Sequence, residues 1–460
     1  MITDPSRDEV TPQEFVDKWA TEDDFEIVEN KDILTGPELI EQNTLQKIHK
    51  ITYDHKKVNS LLGAVFNRHF GTTLIPDREM VNDFTHVVGQ EISERMNNIN
   101  HEITQPGIGE WVGRHKNWGC AKKRKYTRNV VKYCMNPTVS VPKFGAMTKS
   151  KEDFYSTDKT KTSGKERLIW IPPTELAALT WAQDSLLRAA KSIYPEFAHG
   201  HNSNYYAKKI NDFFSDKDKD EWMRISCDGS AHDSHQHADL IKAVDGQFLA
   251  HVKEWWRERL PISDEAFAGL CSQYNNPDAD LLLRHPGTRE LMGTIRVRGT
   301  TFSGHPTRTT LGNTLRVIHY FRYVCKLAGI PDKALLLLVA GDDVVAWIPK
   351  SYELAFRQSF WTVYAKEKEG THGLGQCAKM LTTGEWWDID FISKRSILIN
   401  GTMNIIRSPK NYATRSRYYT GTNRQYLDDW KNHSRAVGCS DLEWAKNTTW
   451  LRMIADNRIN

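Results

Sequence analysis

The chain has 460 residues, of which 39% are hydrophobic and 10% aromatic, and its 62 Lys+Arg against 58 Asp+Glu give a formal net charge of +4. That composition supports a sizeable core and excludes wholesale disorder, and the longest aliphatic run, residues 334–340, falls far short of the ~20 residues a membrane span needs. The small net charge conceals a polarity: residues 1–50 hold 5 Lys+Arg and 13 Asp+Glu, residues 121–170 hold 13 and 4, and residues 401–460 hold 10 and 5. Local asymmetry within a near-neutral whole points to a polyanion-binding channel more than to a uniformly basic coat. No basic stretch followed by an apolar one succeeds Met1, so no signal peptide is expected. Seven cysteines without a C-x-x-C pair point to a reducing compartment and no disulfide framework. The expectation is a soluble intracellular protein of two or three domains, or one large multi-lobed fold.

The acidic start, to about residue 50, carries few structural signals. The chain then turns basic at Lys122, Lys123, Arg124, Lys125 and Arg128, interleaved with Trp118, Tyr126 and Tyr133, a pattern suited to an RNA backbone, with a solvated basic face as the alternative. Residues 143–173 stay basic and become strand-like over 167–171, where Pro172 and Pro173 end the run. Lys165 and Arg167 lie two apart on that strand and share a face, with Lys159 and Lys161 in the loop before it.

A repeated grammar follows. Residues 223–227 read as a short strand ending in an acidic turn, and Leu240, Ile241, Val244, Phe248, Val252 and Trp255 recur at helical spacing. Residues 261–297 look like an insertion. A glycine-containing loop over 298–306 then leads into a second helix with Leu311, Leu315, Ile318, Phe321 and Cys325 on one face. Residues 335–339 form a buried-strand run, Gly341-Asp342-Asp343 a turn, and residues 344–348 its return strand. Strand, helix, helix and hairpin predict an α+β platform with acidic residues at one edge.

If Asp228, at the end of the first strand, neighbours Asp342 and Asp343, carboxylates converge on a small volume and repel unless cations neutralise them. Hard oxygen donors at a sheet edge suit Mg²⁺ or Mn²⁺, and two such ions ~4 Å apart serve phosphoryl transfer. A solvated acidic hairpin turn is the plainer alternative for Gly-Asp-Asp by itself. Its companions argue otherwise. Asp233 follows Asp228 by five residues, Ser303-Gly304 precedes Thr309 and Asn313, and the last two lie four apart on one helix face. An acid and an amide beside a metal site could together hold a ribose hydroxyl, although a helical N-terminal turn explains Thr309 and Asn313 individually.

The ordered set resembles the palm of RNA-dependent RNA polymerases of positive-strand RNA viruses, closest in wording to the tombusvirus- and flavivirus-like branch. Asp228-x-x-x-x-Asp233-x-His235 looks like their motif A, Ser303-Gly304 through Thr309-x-x-x-Asn313 like motif B, and Ala340-Gly341-Asp342-Asp343 like motif C. Phe391-Ile392-Ser393-Lys394 is similar to the motif E hairpin, and Lys165-Glu166-Arg167-Leu168-Ile169 to the basic motif F. Three departures stand out. His232 replaces the usual apolar residue, Gly304 to Asn313 is one residue longer than usual, and motif E reads Phe-Ile-Ser.

The resemblance implies a right-hand polymerase fold of fingers, palm and thumb, with an antiparallel-sheet palm bearing the Gly-Asp-Asp hairpin. Its expected divisions are an N-terminal extension and fingers over 1–222, palm over 223–260, a fingers insertion over 261–301, palm over 302–396 and thumb over 397–460. It further implies that Asp228, Asp342 and Asp343 hold two Mg²⁺ or Mn²⁺ ions, and that Lys379 protonates departing pyrophosphate ahead of its competitors Lys366 and Lys368. Asp233 and Asn313 would read the 2′-hydroxyl, Ser303, Gly304 and Thr309 would position that network, and Lys165 and Arg167 would contact the triphosphate; Lys159 and Lys161 could assist, although a solvated loop is the better reading for either. The implied partners are template and product RNA, nucleoside triphosphates and other viral replicase subunits. The expected location is the host cytoplasm, at a membrane-associated replication complex reached without a membrane segment in this chain. Rival readings are a reverse transcriptase on the same palm, disfavoured by the Asp233–Asn313 pairing, and a non-catalytic RNA-binding or packaging protein. His232, His235 and His237 match no closed zinc pattern, and Trp255-Trp256 and Trp386-Trp387 read as packing anchors.

Overall fold

The computed structural model describes residues 48–50, 58, 61, 65, 73–115, 118–138, 143–150, 154–156, 166–171, 174–230, 232–285, 287–302, 304–399 and 401–407. In chain order the first half contains β1 (Ile48–Lys50), α1 (Arg78–Met96), α2 (Ile108–Arg114), α3 (Cys120–Met135), β2 (Lys143–Ser150), β3 (Phe154–Ser156), β4 (Glu166–Ile171), α4 (Thr174–Ile193) and α5 (Ser203–Phe213). Next come β5 (Trp222–Gly229), α6 (Ala238–Ile241), α7 (Gln247–Arg257), α8 (Asp264–Asn275), β6 (Asp278–Arg284) and β7 (Leu291–Arg298). The chain continues with α9 (Gly312–Leu327), β8 (Leu336–Ala340), β9 (Asp343–Pro349), α10 (Glu353–Val363), β10 (Tyr364–Ala365), β11 (Gln376–Glu385), β12 (Asp390–Phe391), β13 (Lys394–Ile399) and β14 (Thr402–Arg407). The protein is mixed α+β, as its strand and helix periodicities predict.

A five-stranded sheet in the order β10-β11-β5-β9-β8 carries the acidic residues. All its pairings are antiparallel except the short β10–β11 contact. Because side chains alternate across a strand, the sheet is apolar on both faces. Leu337, Val339, Val344, Ala346 and Ile348 enter the main core, while Leu336, Leu338, Val345 and Trp347 enter a second core with Phe214, Trp386 and Met403. Trp347 donates its indole N–H to the Trp386 carbonyl at 2.7 Å, so the first residue of the Trp386-Trp387 pair is a packing anchor. Trp256 is likewise buried and donates to the Ala182 carbonyl at 3.0 Å.

The predicted amphipathic character of α9 needs correction. Its residues from Gly312 to Phe321 are all buried, because it is held between β8, α1 and α10. The polar residues it carries into the core each have partners, as burial demands.

A second sheet, in the order β4-β2-β6-β7, joins the basic strand to the segment after residue 261. β2 pairs antiparallel with β4 and parallel with β6, which forms a hairpin with β7. The 261–301 segment, a helix and a hairpin, thus extends the sheet that holds the Arg167 strand. A two-residue turn joins β12 to β13, with Phe391 opposite Lys394 and both Ile392 and Ser393 at positive φ, so the hairpin expected there is present. Among the described residues no helix is long and apolar enough to cross a membrane. The acidic residues before 48 and the basic tail after 407 lie outside the described residues.

Candidate active site

Strand register brings the acidic residues together. β5 pairs with β9 from Trp222 opposite Pro349 to Cys227 opposite Val344, so Asp228 and Asp343, one step beyond the last pair, lie beside each other where that pairing ends. The β8–β9 pairing closes at Ala340 opposite Asp343, leaving Gly341 and Asp342 as a two-residue turn. Gly341 has φ +71°, which glycine adopts without the Cβ clash other residues meet and which fits the first central position of a type II′ hairpin. Asp343 therefore begins β9 and only Asp342 stands on the turn, a one-residue correction to the sequence expectation. Asp228, Asp342 and Asp343 are all exposed.

Lys379 reaches this end of the sheet through a backbone irregularity. The β11–β5 register passes from Ala378 opposite Gly229 to Met380 opposite Asp228, so Lys379 is the additional residue of a β-bulge. Bulges re-aim side chains next to functional sites, and the Lys379 ammonium lies 3.9 Å from Asp228 Oδ2. Both side chains are more than half exposed, so the pair adds little stability; its interest is positional. Lys366 instead sits 5.0 Å over the Trp361 ring.

The turn after β5 is held by backbone contacts. The Asp233 carbonyl accepts the Thr301 N–H at 3.1 Å and the Thr300 hydroxyl at 2.9 Å. Gln236 donates to the His232 carbonyl at 3.1 Å and to Gln376 Oε1 at 3.0 Å. Burial, helped by the Arg316 charge, pushes the His232 pKa down to about 4, although the Asp342 charge and a hydrogen bond with Asn313 favour the charged ring. At neutral pH the ring is uncharged and leaves the field of the carboxylates uncompensated.

The segment between Gly304 and Asn313 contains a π-turn. Residues Thr307–Leu311 form a π-turn ahead of α9, in which the Gly312 N–H reaches back five residues to the Thr307 carbonyl. A π-turn absorbs one more residue than an α-turn and recurs at functional sites. Thr309 donates its hydroxyl to the His305 carbonyl at 2.6 Å, so that proton is committed within the turn. Asn313 is buried, and its Oδ1 accepts from Thr301 Oγ1 at 3.1 Å and from Arg316 Nη2 at 2.6 Å. Gly304 is exposed with φ +91°, and Ser303 lies outside the described residues.

Arg316 is the hub beneath the site. Fully buried, it donates to Gln236 Oε1 at 2.8 Å, to Asp245 Oδ2 at 2.5 Å and to the Arg308 carbonyl at 2.9 Å. Gly312 is required here, because a Cβ would meet Asp245 Oδ1 at 2.3 Å and Arg316 Nη1 at 2.9 Å. Sequence reading missed Thr301, Arg316, Gln236 and Asp245. One signal was present: Asn313, Arg316 and Tyr320 make a polar stripe at helical spacing among apolar residues, and Tyr320 does donate to Gln236 Oε1, at 3.3 Å.

Arg167 lies on β4 opposite Lys149 of β2, with its side chain outside the description, and Lys159, Lys161 and Lys165 lie outside the described residues altogether. On α3, Lys122, Arg124, Lys125 and Arg128 are exposed and Lys123 is half-buried. The aromatic residues among them serve one another: His115 and Trp118 stack at 4.0 Å, Trp118 and Tyr126 lie 4.5 Å apart, and Lys122 Nζ is 4.4 Å over Trp118.

Among the described residues no group of three metal-ligating side chains is already gathered around one point. The donor set nonetheless fits a hard cation: exposed carboxylates at one sheet end suit Mg²⁺, which keeps its waters and shares substrate phosphates instead of filling an all-protein cage. Neither a protein-family model nor a curated protein matches the chain, and the site is defined by its geometry.

Proposed function

We propose that the chain is an RNA-dependent RNA polymerase that copies viral RNA from nucleoside triphosphates, with the five-stranded sheet as its palm and the β4-β2-β6-β7 sheet as part of its fingers. The observation that carries this reading is the convergence, at one sheet end, of Asp228, Asp343 and the Asp342 turn with a bulged Lys379. These groups come from three separate chain segments and are brought together by strand register and the bulge in β11.

Asp228 and Asp342, with Asp343 beside them, would hold the two divalent ions. Mg²⁺ or Mn²⁺ bound there supplies charge neutralisation and activation of a 3′-hydroxyl for attack on the α-phosphate. Lys379 holds an ammonium proton next to Asp228, placed to pass it to pyrophosphate as the α–β phosphate bond breaks. Asp233 accepts, and the Asn313 amide donates, a hydrogen bond at the ribose 2′-hydroxyl. Lys165 and Arg167 orient the triphosphate, with Lys159 and Lys161 near it. The α3 basic face tracks an RNA backbone. Other replicase subunits, in a cytoplasmic complex on host membranes, would supply any membrane attachment.

The test is extension and de novo initiation on a defined RNA with four ribonucleotides and Mg²⁺ or Mn²⁺. Templated product from the wild type, abolished by Asp342→Ala, is expected. Synthesis by Asp342→Ala at the wild-type rate would remove the carboxylate assignment, and salt-sensitive RNA binding with no product would leave a non-catalytic binding protein.

A further inference from the structure

The Asn313 amide is locked by its neighbours. A carbonyl oxygen has two lone pairs, and both on Asn313 Oδ1 are taken, by Thr301 Oγ1 at 3.1 Å and Arg316 Nη2 at 2.6 Å. Rotating the amide by half a turn would set its N–H₂ against those two donors, so the N–H₂ group is the end turned away from them, and it can only donate. Thr301 accepts from Arg316 Nη2 at 3.0 Å, which directs the threonine proton toward Asn313. The same threonine's backbone N–H binds the Asp233 carbonyl at 3.1 Å. One residue therefore ties together the two segments that would read the sugar.

We propose that Thr301, held by the buried Arg316, is a positioning residue for nucleotide-sugar selection: it fixes Asn313 as a donor and sets its distance from Asp233, so that a 2′-hydroxyl can accept from one and donate to the other. A site of this kind rejects the analogue lacking the hydroxyl, because its buried polar groups are then left unpaired. The inference rests on the polymerase reading, yet it concerns selectivity instead of turnover, so the two can fail separately.

The experiment compares kcat/KM for single additions of ATP and dATP on one RNA template by the wild type, Thr301→Val, Thr301→Ser and Asn313→Ala. Valine keeps the shape of threonine but removes the hydroxyl. Thr301→Val is expected to lower the ATP/dATP preference about tenfold, the worth of one well-placed hydrogen bond. Thr301→Ser is expected to keep the preference, and valine added to Asn313→Ala to change it no further. Arg316→Lys, which keeps a charge opposite Asp245 while losing the Nη2 donor, gives a second variant should valine fail to fold, and it is expected to shift the preference the same way. An equal fall for both nucleotides would mean a merely structural role and overturn the proposal. A wild type that adds neither nucleotide would bring down the polymerase reading and this inference with it.

Discussion

The hydroxyl of Thr314 donates to the Thr310 carbonyl at 2.6 Å and accepts the Gly341 N–H at 2.9 Å, linking the start of helix α9 to the hairpin that carries Asp342. With its proton directed along the helix, the oxygen is oriented to accept from the hairpin. Thr314→Val would keep the volume and leave the Gly341 N–H unpaired, at a cost of about 1–3 kcal/mol. We expect templated synthesis by this variant to lose about tenfold or more in kcat while serine at the position restores it. Thermal melts alongside extension kinetics check this, and wild-type kcat in Thr314→Val would dismiss the link as incidental.

Lys379 owes its place to a bulge, so its effect on rate should be separable from its effect on stability. Because the ion pair with Asp228 is more than half exposed on both sides, Lys379→Ala should fold as stably as the wild type, within about 0.5 kcal/mol. Loss of a general acid should nonetheless lower kcat by about 10²-fold or more, with Lys379→Arg retaining the charge but yielding its proton poorly. Single-turnover extension would show it: the chemical step should slow in Lys379→Ala and nearly as much in Lys379→Arg, while RNA binding stays unchanged. A variant with the wild-type single-turnover rate would make Lys379 a bystander.

The positions of the proposed catalytic and sugar-reading residues were legible because they are spaced along single elements. Asp228 at a strand end, Asp342 in a hairpin and Asn313 near a helix start follow from local periodicity, and the strand and helix assignments around them match the structure to within a residue or two. What the sequence could not reveal depends on contacts across the fold. Arg316 meets Asp245 and Gln236 only because the turn after β5 and the π-turn before α9 pack together, and a bulge at Lys379 is visible only once β11 has paired with β5. The burial of α9 from Gly312 to Phe321 was hidden for the same reason: its polar residues are satisfied by partners on other elements, so its pattern reads as half-exposed.

The basic face of α3 makes a quantitative prediction about RNA. Lys122, Arg124, Lys125 and Arg128 are exposed, while the neighbouring Trp118 and Tyr126 rings are occupied with each other and with Lys122. Binding there should come from phosphate neutralisation and depend on salt, with little base stacking. Replacing these four residues by Gln should weaken single-stranded RNA binding and reduce the slope of log K against log salt by about 0.7 for each phosphate that is no longer neutralised. Titrations at several salt concentrations measure this directly. A slope identical to that of the wild type would place the RNA elsewhere.

Glu91 should make the fold sensitive to acid. Burial alone would raise its pKa, but the hydrogen bond from His319 Nδ1 at 3.0 Å and the Arg322 and Arg95 charges outweigh burial and hold it down at about 2. The same arginines bind Glu196, at 2.7 Å from Arg95 and 3.1 Å from Arg322, fastening α1 and α9 to the segment after α4. A carboxyl whose folded pKa is depressed contributes stability that is complete above its unfolded pKa of about 4.3 and is lost as pH falls through the folded value. Glu91→Gln lacks that contribution at every pH. The wild type should therefore exceed the variant by about 3 kcal/mol near neutrality, and the gap should close between roughly pH 4.5 and pH 2. Denaturant unfolding of both proteins across that range tests the linkage, since a gap that stays constant to pH 2 would mean that Glu91 acts through packing and not through its charge.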